Sequence, residues 1–182
     1  ASKADLAFTM HMLYHLNETG TCAIVEFPGV LYRGGAEKKI REYLIKNNLV
    51  DTVIQLPSNL FFGVGIATCI IVIKKNKKDN NILFVDASEL CYKDGDKNKL
   101  GEDDQDAIFN AYAERKEKQY STKLVSNDKV LENNANLSVS SYVEKEDKRE
   151  VIDIAALNKE IEELSNDVAE RALKLNEMIK GL

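Results

Sequence analysis

The sequence predicts an α/β fold in which a mixed sheet with covering helices is followed by a long helical tail. Short, β-branched apolar runs recur in the first half, at 22–25, 50–56, 67–73 and 82–85, and such runs are typical of buried strands. An amphipathic helical pattern at 36–47 separates the first two runs. Alternating strands and helices of this kind form sheets with helices packed against them.

Composition places the chain among ordinary globular proteins. Of 182 residues, 44% are hydrophobic and 30% charged, and no apolar run approaches the length of a membrane span. We see no signal peptide at the start, and the three cysteines lie far apart without a paired zinc pattern. Free thiols in apolar runs indicate a reducing compartment, so we expect a cytoplasmic protein. A net charge of −5 does not by itself predict nucleic-acid binding.

The first 50 residues predict helix, strand, turn and helix. Residues 2–16 have helical apolar spacing, 22–25 form a strand, and the chain then turns at Pro28-Gly29. In the helix at 36–47 we expect Ile40, Tyr43 and Leu44 to face inward and Arg41 to face solvent. Strands on either side of this helix are expected to be parallel neighbours. The later strands, joined by short loops, are expected to be antiparallel.

The stretch 50–75 predicts two buried strands around an aromatic loop. Phe61 and Phe62 lie between the strands and are followed by Gly63 and Gly65. We expect one phenylalanine to fill the core under the loop and the other to stack on a flat ligand such as a base. Basic residues near these loops are candidates for contacts with DNA phosphates, or else solvated surface residues: Arg33, Lys38, Lys39, Lys74 and Lys75.

The second half predicts a loop at 90–102, a helix at 103–120 and a short strand at 121–125. Ile108, Phe109 and Tyr112 are expected to face inward on that helix. Residues 131–143 are expected to be irregular but packed, and 144–150 to form a charged linker.

A final helix carries an apolar seam at alternating spacings of four and three, with Arg171 as the polar interruption. Such a seam is typical of a coiled coil or helix bundle and needs a partner surface. That surface is either the protein's own domain or another subunit, and both remain open. The seam consists of Leu157, Ile161, Leu164, Val168, Leu175, Met178 and Leu182.

The polar residues show few patterns that are typical of metal, phosphate or dinucleotide sites. His11 and His15 have the spacing of metal ligands on one helix but lack a third ligand nearby, so we predict packing histidines and no metal site. Asp51 and Asp86 are expected to be ordinary turn residues at strand ends. No phosphate-binding or dinucleotide-binding glycine motif is present.

A set of short motifs is spread along the chain: Lys3–Asp5, Ala7-Phe8, His11–Leu13, Gly29–Glu37, Ile40-Arg41, Leu56-Pro57, Leu60-Phe61, Gly65-Ile66, Thr68-Cys69, Asp86–Ser88, Glu132-Asn133, Asn136-Leu137 and Tyr142-Val143. These motifs resemble the modification (methylation) subunit of type I restriction–modification systems. The likeness covers nearly the whole chain, and its most specific part lies at 29–75. Two positions depart from the family pattern: Glu26-Phe27 before the proline, and Ala67 where proline is usual.

The resemblance implies an adenine-specific DNA methyltransferase that moves a methyl group from S-adenosylmethionine to the exocyclic amine of a flipped adenine. It implies the latter half of a doubly wound, mixed methyltransferase-type sheet. The family's Gly-rich cofactor loop and its catalytic Asn-Pro-Pro-Phe/Tyr do not occur here, since Pro28 and Pro57 are the only prolines. We therefore expect these motifs upstream, no catalytic residue in this chain, no cofactor bound by it and no activity of the chain alone.

The implied organisation has three parts. Residues 1–90 are the carboxyl-terminal half of the catalytic domain, 91–150 a helix and an irregular packed segment, and 151–182 a long helix for subunit or intramolecular packing. Phe61 or Phe62 would match the family's later aromatic motif in the target-base pocket. The implied partners are DNA, a specificity subunit and a restriction subunit, and no membrane. The alternative is a non-catalytic assembly module that docks on the specificity subunit.

Overall fold

A computed structural model describes residues 4–146 and 153–180, and the chain divides into two compact units after Glu146. The first unit holds a sheet, its covering helices and a small hairpin. Its elements in chain order are α1 (Asp5–His15), β1 (Thr21–Glu26), α2 (Gly29–Tyr32), α3 (Ala36–Lys46), β2 (Val50–Gln55), β3 (Cys69–Lys74), β4 (Asn81–Asp86), β5 (Tyr92–Asp94), β6 (Lys97–Lys99), α4 (Glu102–Glu114), β7 (Thr122–Ser126), α5 (Asn127–Glu132) and a 3-10 turn (Val139–Ser141).

Five of these strands form one mixed sheet in the order β1-β3-β2-β4-β7. Strand β3 runs antiparallel to both of its neighbours, β1 and β2. Strand β4 is parallel to β2 and antiparallel to β7. The order differs from the expectation in two ways: β1 and β2 point the same way but are separated by β3, and β4 pairs in parallel with β2.

The sheet buries both faces, which explains why its central strands read as nearly continuous apolar runs. Along β3, Cys69, Ile71 and Ile73 belong to the larger core, which also contains Leu6 of α1 and Leu44 of α3. Ile70, on the opposite face, packs against the smaller core that α4 covers. Helices on both faces of a mixed sheet confirm the predicted doubly wound class.

The irregular segment after α5 is packed into the larger core, as predicted. Ala135, Leu137, Val139 and Val143 are all buried there, and Leu137 N–H donates to the Leu31 carbonyl at 2.9 Å. The short strand predicted at 121–125 is confirmed as β7. The loop predicted at 90–102 instead contains the hairpin of β5 and β6.

Three side chains contradict the predicted orientations. Arg41 is 1% exposed although it was expected to face solvent, because its guanidinium reaches two buried carbonyls. Tyr43 is 49% exposed and Phe109 is 63% exposed, although both were expected to face inward. Long amphipathic side chains bury part of their length at the edge of a helix face, so spacing alone does not fix their direction.

Polar residues also differ from expectation. Asp51 is buried within β2 and accepts ion pairs, so it is not a turn residue. Asp86 does form a turn, since its Oδ1 accepts from Ser88 N–H at 2.9 Å. His11 and His15 are both exposed and stack edge to face at 4.6 Å, so the prediction of packing histidines is wrong.

The second unit is described from 153 to 180 and consists of α6 (Ile154–Lys180). Asp153 Oδ1 begins this helix by accepting from the backbone N–H groups of Ala155 and Ala156 at 3.0 and 3.1 Å. The seam side chains from Leu157 to Met178 are between 46% and 71% exposed, and Leu182 lies outside the described residues. None of the described helices is long and apolar enough to cross a membrane.

Candidate functional site

The loop between β2 and β3 is closed at its neck by hydrogen bonds to one carbonyl. Thr68 C=O accepts from Leu56 N–H at 2.9 Å and from the Gln55 side chain at 3.1 Å. Two residues of the loop, Asn59 and Gly63, have positive φ angles of 53° and 72°, and glycine adopts such angles without steric cost. The neck is thus fixed while the chain beyond it turns back sharply.

The hairpin of β5 and β6 holds the same loop from the side. Asn98 donates its side-chain N–H to the Ser58 carbonyl at 2.7 Å and its backbone N–H to the Asn59 carbonyl at 3.1 Å. The aromatic loop is therefore supported both at its neck and by a neighbouring element.

A cleft of about 300 Å³ opens where β1 ends and β3 begins. Phe61 forms part of its wall and is 38% exposed, whereas Phe62 is 99% exposed and does not line the cleft. The structure thus separates the two phenylalanines that the sequence left equivalent. The lining residues are Asp5, Phe8, Ile24, Val25, Glu26, Phe27, Phe61, Val64 and Thr68.

Glu26 supplies a buried carboxyl group to this cleft. It is 8% exposed and accepts a hydrogen bond from Thr9 Oγ1 at 2.9 Å. Burial raises the pKa of the Glu26 carboxyl, because desolvation disfavours its charged form more than the Thr9 hydrogen bond favours it. Glu26 also belongs to one of the two places, Glu26-Phe27 and Ala67, at which the sequence departs from the pattern of the family that it resembles.

Thr68 also lines this cleft, and its hydroxyl is buried and unpaired among the described residues. The residue is 4% exposed, and its Oγ1 is fully buried without a hydrogen-bond partner among the described residues. One other side-chain atom within the described ranges, Asn127 Oδ1, shares this property. Asn127 does not line the cleft and its amide N–H groups are both used, by Ile45 and Asn48.

A second cleft, of about 460 Å³, adjoins the first and shares Val25 and Phe61 with it. Its walls come from β1, β2, β3 and α4 and are almost entirely apolar, including Ile54, Val72 and Phe109. Phe61 therefore stands between a cleft with polar groups and an apolar one.

The basic residues that were candidates for DNA contacts lie at two different ends of the sheet. Arg33 lies near the cleft, 3.9 Å from the Asp5 carboxylate and 3.5 Å from Glu37. Lys38 and Lys39 lie in the first turn of α3, where Lys38 bonds to Asn134 at 3.1 Å.

Lys74 and Lys75 are at the other end of β3, about 16 Å along the strand from the cleft. Lys74 pairs with Asp51 at 3.3 Å and lies over the Tyr112 ring, and Lys75 Nζ donates to the Leu16 carbonyl. The structure does not bring these two lysines together with the aromatic loop, and the prediction that they bind DNA stays a prediction.

The sequence pointed to Phe61 but not to the polar groups beside it. Glu26 carries a weak signal, a carboxylate at the end of an apolar strand, and Thr68 appears only among the residues that carry the family resemblance. Among the described residues, no group of three His, Cys, Asp or Glu side chains is placed to hold a metal ion.

Comparison with known proteins identifies relatives of this arrangement. The sequence model of the N-6 DNA methylase family matches residues 1–151. The methylase subunit of the type I restriction enzyme MpnII of Mycoplasma pneumoniae is 43% identical over 182 residues, which are all of this chain and 34% of that protein. The MjaVII methylase subunit of Methanocaldococcus jannaschii is 33% identical over 97% of this chain and 31% of its own length.

Solved structures agree in fold. The type I restriction-modification methyltransferase subunit of Streptococcus thermophilus superimposes with a TM-score of 0.77 and 40% identity, over 79% of this chain and 31% of that one. The M protein of the type I restriction enzyme EcoKI gives a TM-score of 0.66 at 18% identity, over 94% and 44%. This chain therefore has the methyltransferase-type fold, and it spans about a third of the length of the curated relatives it matches.

Proposed function

The chain belongs to the N-6 DNA methylase family, and on that premise we propose that it is part of the modification subunit of a type I restriction–modification system. The reaction is transfer of a methyl group from S-adenosylmethionine to the exocyclic amine of adenine in DNA. The observation that carries the proposal is the cleft beside Phe61, in which an aromatic wall and buried polar groups meet at strand ends.

The cleft supports this chemistry because a base taken out of the duplex needs a stacking surface and polar partners. Phe61 offers the stacking surface, and loop closure at Thr68 together with the Asn98 hairpin fixes its backbone. Fixing the wall before the ligand arrives lowers the entropy lost on binding. Phe62, fully exposed at the tip, is the candidate for contact with the rest of the DNA.

The chain's own residues do not fit the whole of S-adenosylmethionine. Its sequence contains neither the Gly-rich cofactor loop nor an Asn-Pro-Pro-Phe/Tyr motif. S-adenosylmethionine supplies the methyl group when bound, and we place its site and the groups that orient the amine in the remainder of the protein. What this chain does is hold the base: it stacks the ring, borders it with Glu26 and Thr68, and excludes water with Phe8 and Phe27.

The test is substitution of Phe61 in the full-length protein assembled with its specificity subunit. Phe61→Ala should weaken binding of the target-site duplex roughly 5- to 150-fold, the range given by the loss of one base–aromatic stack. Methyl transfer at low DNA concentration should fall by at least as much. Phe109→Ala is the matched control, since Phe109 is exposed and lines only the apolar cleft.

Equal losses from Phe61→Ala and Phe109→Ala would contradict the proposed base pocket. An unchanged Phe61→Ala variant would contradict it as well, because the stacking wall would then contribute nothing.

The exposed seam of α6 favours a second role, in assembly. We propose that Leu157, Ile161, Leu164, Val168, Leu175, Met178 and Leu182 dock on helices of the specificity subunit, with the restriction subunit joining the same complex. A solved structure that concerns complex assembly and conformational transition of a type I system covers 97% of this chain at 19% identity, which supports the fold alone. If the full-length protein lacks the catalytic motifs, a non-catalytic assembly module is the remaining function.

A further inference from the structure

We propose that Phe62 enters the DNA helix and fills the space that the target adenine vacates when it leaves the base stack. The inference rests on the proposed function, in which Phe61 holds that adenine outside the duplex. It gives the second phenylalanine of the loop a separate role, as a positioning residue that keeps the adenine out of the stack.

A tight turn separates the two phenylalanines. Val64 N–H donates to the Phe61 carbonyl at 3.1 Å, and Gly63, the third residue of this four-residue turn, has a φ of 72°. This is the pattern of a type II turn, which requires a positive φ at its third residue and therefore favours glycine there. Phe62 is the second residue and occupies the corner of the turn.

The two ends of this turn line the cleft beside Phe61, whereas its corner does not. Phe61 and Val64 both belong to the lining, and Phe62 lines neither this cleft nor the adjoining apolar one. Phe62 is 99% exposed, so both faces of its ring are available to a partner. The loop thus presents a second aromatic ring beside the wall that holds the base, since consecutive Cα atoms are only about 3.8 Å apart.

The support of the loop fixes the place of the Phe62 backbone. The Thr68 carbonyl closes the neck, and Asn98 of the hairpin donates to the carbonyls of Ser58 and Asn59. A loop that is held in this way loses little conformational freedom when its tip meets a partner. The exposed ring contributes nothing to the core of the described unit, so its role lies in that partner.

The composition of the loop indicates contact with bases and not with phosphates. Residues 57–67 contain no charged side chain, and phosphate contacts are made chiefly by lysine and arginine. Phenylalanine is one of the apolar side chains that proteins insert between base steps. Its flat ring can stack on the bases above and below the gap, in the way that Phe61 stacks on the extruded base.

The energetics of base extrusion give this contact a function. Extrusion costs the stacking and pairing of the target base. A ring that occupies the gap restores part of the lost stacking and blocks the return of the base. The gap lies next to the extruded base, because the backbone of a single nucleotide joins the two, and Phe62 lies next to Phe61 for the same reason of chain connection.

The test uses the full-length protein in complex with its specificity subunit, and two duplexes that differ opposite the methylated adenine. One carries thymidine there, and the other a pyrene nucleoside, whose large ring fills the gap by itself. Phe62→Ala should bind the thymidine duplex roughly 5- to 150-fold more weakly than the wild-type protein, the range for loss of one stacked ring. On the pyrene duplex the two proteins should bind equally, and methyl transfer at low DNA concentration should follow the same pattern.

Two further variants serve as comparisons. Phe61→Ala removes the wall outside the duplex, so its loss of binding should persist on the pyrene duplex. Phe109→Ala removes an exposed ring that lines only the apolar cleft, and it should bind both duplexes like the wild-type protein. Thermal unfolding of Phe62→Ala should match the wild-type protein, because the ring lies outside the core.

The outcomes separate the claims. Phe62→Ala that binds the thymidine duplex like the wild-type protein overturns the inference. Equal losses on both duplexes overturn it as well, because the contact of Phe62 then lies outside the base stack, on other DNA or on protein. Rescue of Phe61→Ala by pyrene would exchange the roles of the two rings and also overturn it. A wild-type complex that does not methylate the thymidine duplex contradicts the proposed function itself.

Discussion

Arg41 joins three parts of the chain that are distant in sequence. Its Nε donates to the Ala135 carbonyl and its Nη1 to the Val30 carbonyl, each at 2.8 Å. Burial lowers the pKa of its guanidinium, and the nearby carboxylates of Glu37 and Glu42 offset part of that effect. The side chain thereby ties α3 to α2 and to the irregular segment after α5.

Arg41→Met should lower the free energy of unfolding by about 2–4 kcal/mol, because two buried carbonyl groups lose their charged donor. Urea unfolding of the chain, followed by tyrosine fluorescence, measures this. Lys39→Met on the exposed face of the same helix should change stability by about 0.5 kcal/mol or less. Similar effects of the two substitutions would contradict the role given to Arg41.

Lys77 is a half-buried amine whose neighbours do not restore its charge. Desolvation is the largest cause that lowers the pKa of Lys77 to about 8. The carboxylates of Asp51 and Asp79 raise this pKa, and the charges of Arg115 and Lys74 lower it further. Its Nζ donates to the Val50 and Asn81 carbonyls at 2.7 and 2.9 Å. Between the folded pKa and the ordinary lysine value, the unfolded chain therefore binds more protons at this residue than the folded chain.

Because the unfolded state binds the extra proton, the Lys77 contribution to stability rises as the pH increases from about 8 toward the ordinary lysine pKa. Lys77→Met should remove this rise, and Lys78→Met, at an exposed neighbour, should keep it. Urea unfolding at several pH values between about 7.5 and 10.5 compares the three proteins. A wild-type curve parallel to that of Lys77→Met would contradict the assignment.

At the level of elements, the sequence predicted that β3 exists and how it pairs with β2, but not its position in the sheet. Its apolar run identified a buried strand, and the short loop before it identified antiparallel pairing with β2. Its insertion between β1 and β2 was not predictable from local pattern, because the order of strands depends on which edges find apolar partners on both faces.

The same limit applies to single side chains on elements. The apolar run at 67–73 predicted a buried strand, and its residues Ile71 and Ile73 are buried. Local sequence pattern could not predict that Thr68 lines a cleft or that Arg41 is buried, since both depend on segments that are distant in sequence. The candidate site was thus predictable in its aromatic loop and not in its polar wall.

The prediction for helix α6 is that its apolar seam forms the contact with the specificity subunit. Leu164→Asp, within the seam, should weaken assembly of the full-length protein with the specificity subunit by roughly 30-fold or more, as for a central interface residue. Leu173→Asp is the control, because Leu173 is equally exposed but lies off the seam. Titration by analytical ultracentrifugation measures both, with helix content checked by circular dichroism. Equal effects, or none from either change, would contradict a seam-directed contact.

At the level of the whole molecule, we propose that this chain provides one part of a base-binding wall and one assembly surface. The carboxyl end of β1 and the loop before β3 form the wall, and both lie within the residues that match the N-6 DNA methylase family. The chain spans about a third of the curated relatives, and the motifs for cofactor binding and amine orientation are absent from its sequence. We therefore expect catalysis to require the rest of the protein.

The most direct test is transfer of a labelled methyl group from S-adenosylmethionine to duplex DNA. The full-length protein with its specificity subunit should label the exocyclic amine of adenine, and the 182-residue chain alone should label nothing. Labelling by the chain alone would contradict the division of the site between this chain and the remainder. Labelling by neither preparation would contradict the methyltransferase proposal and leave the assembly role.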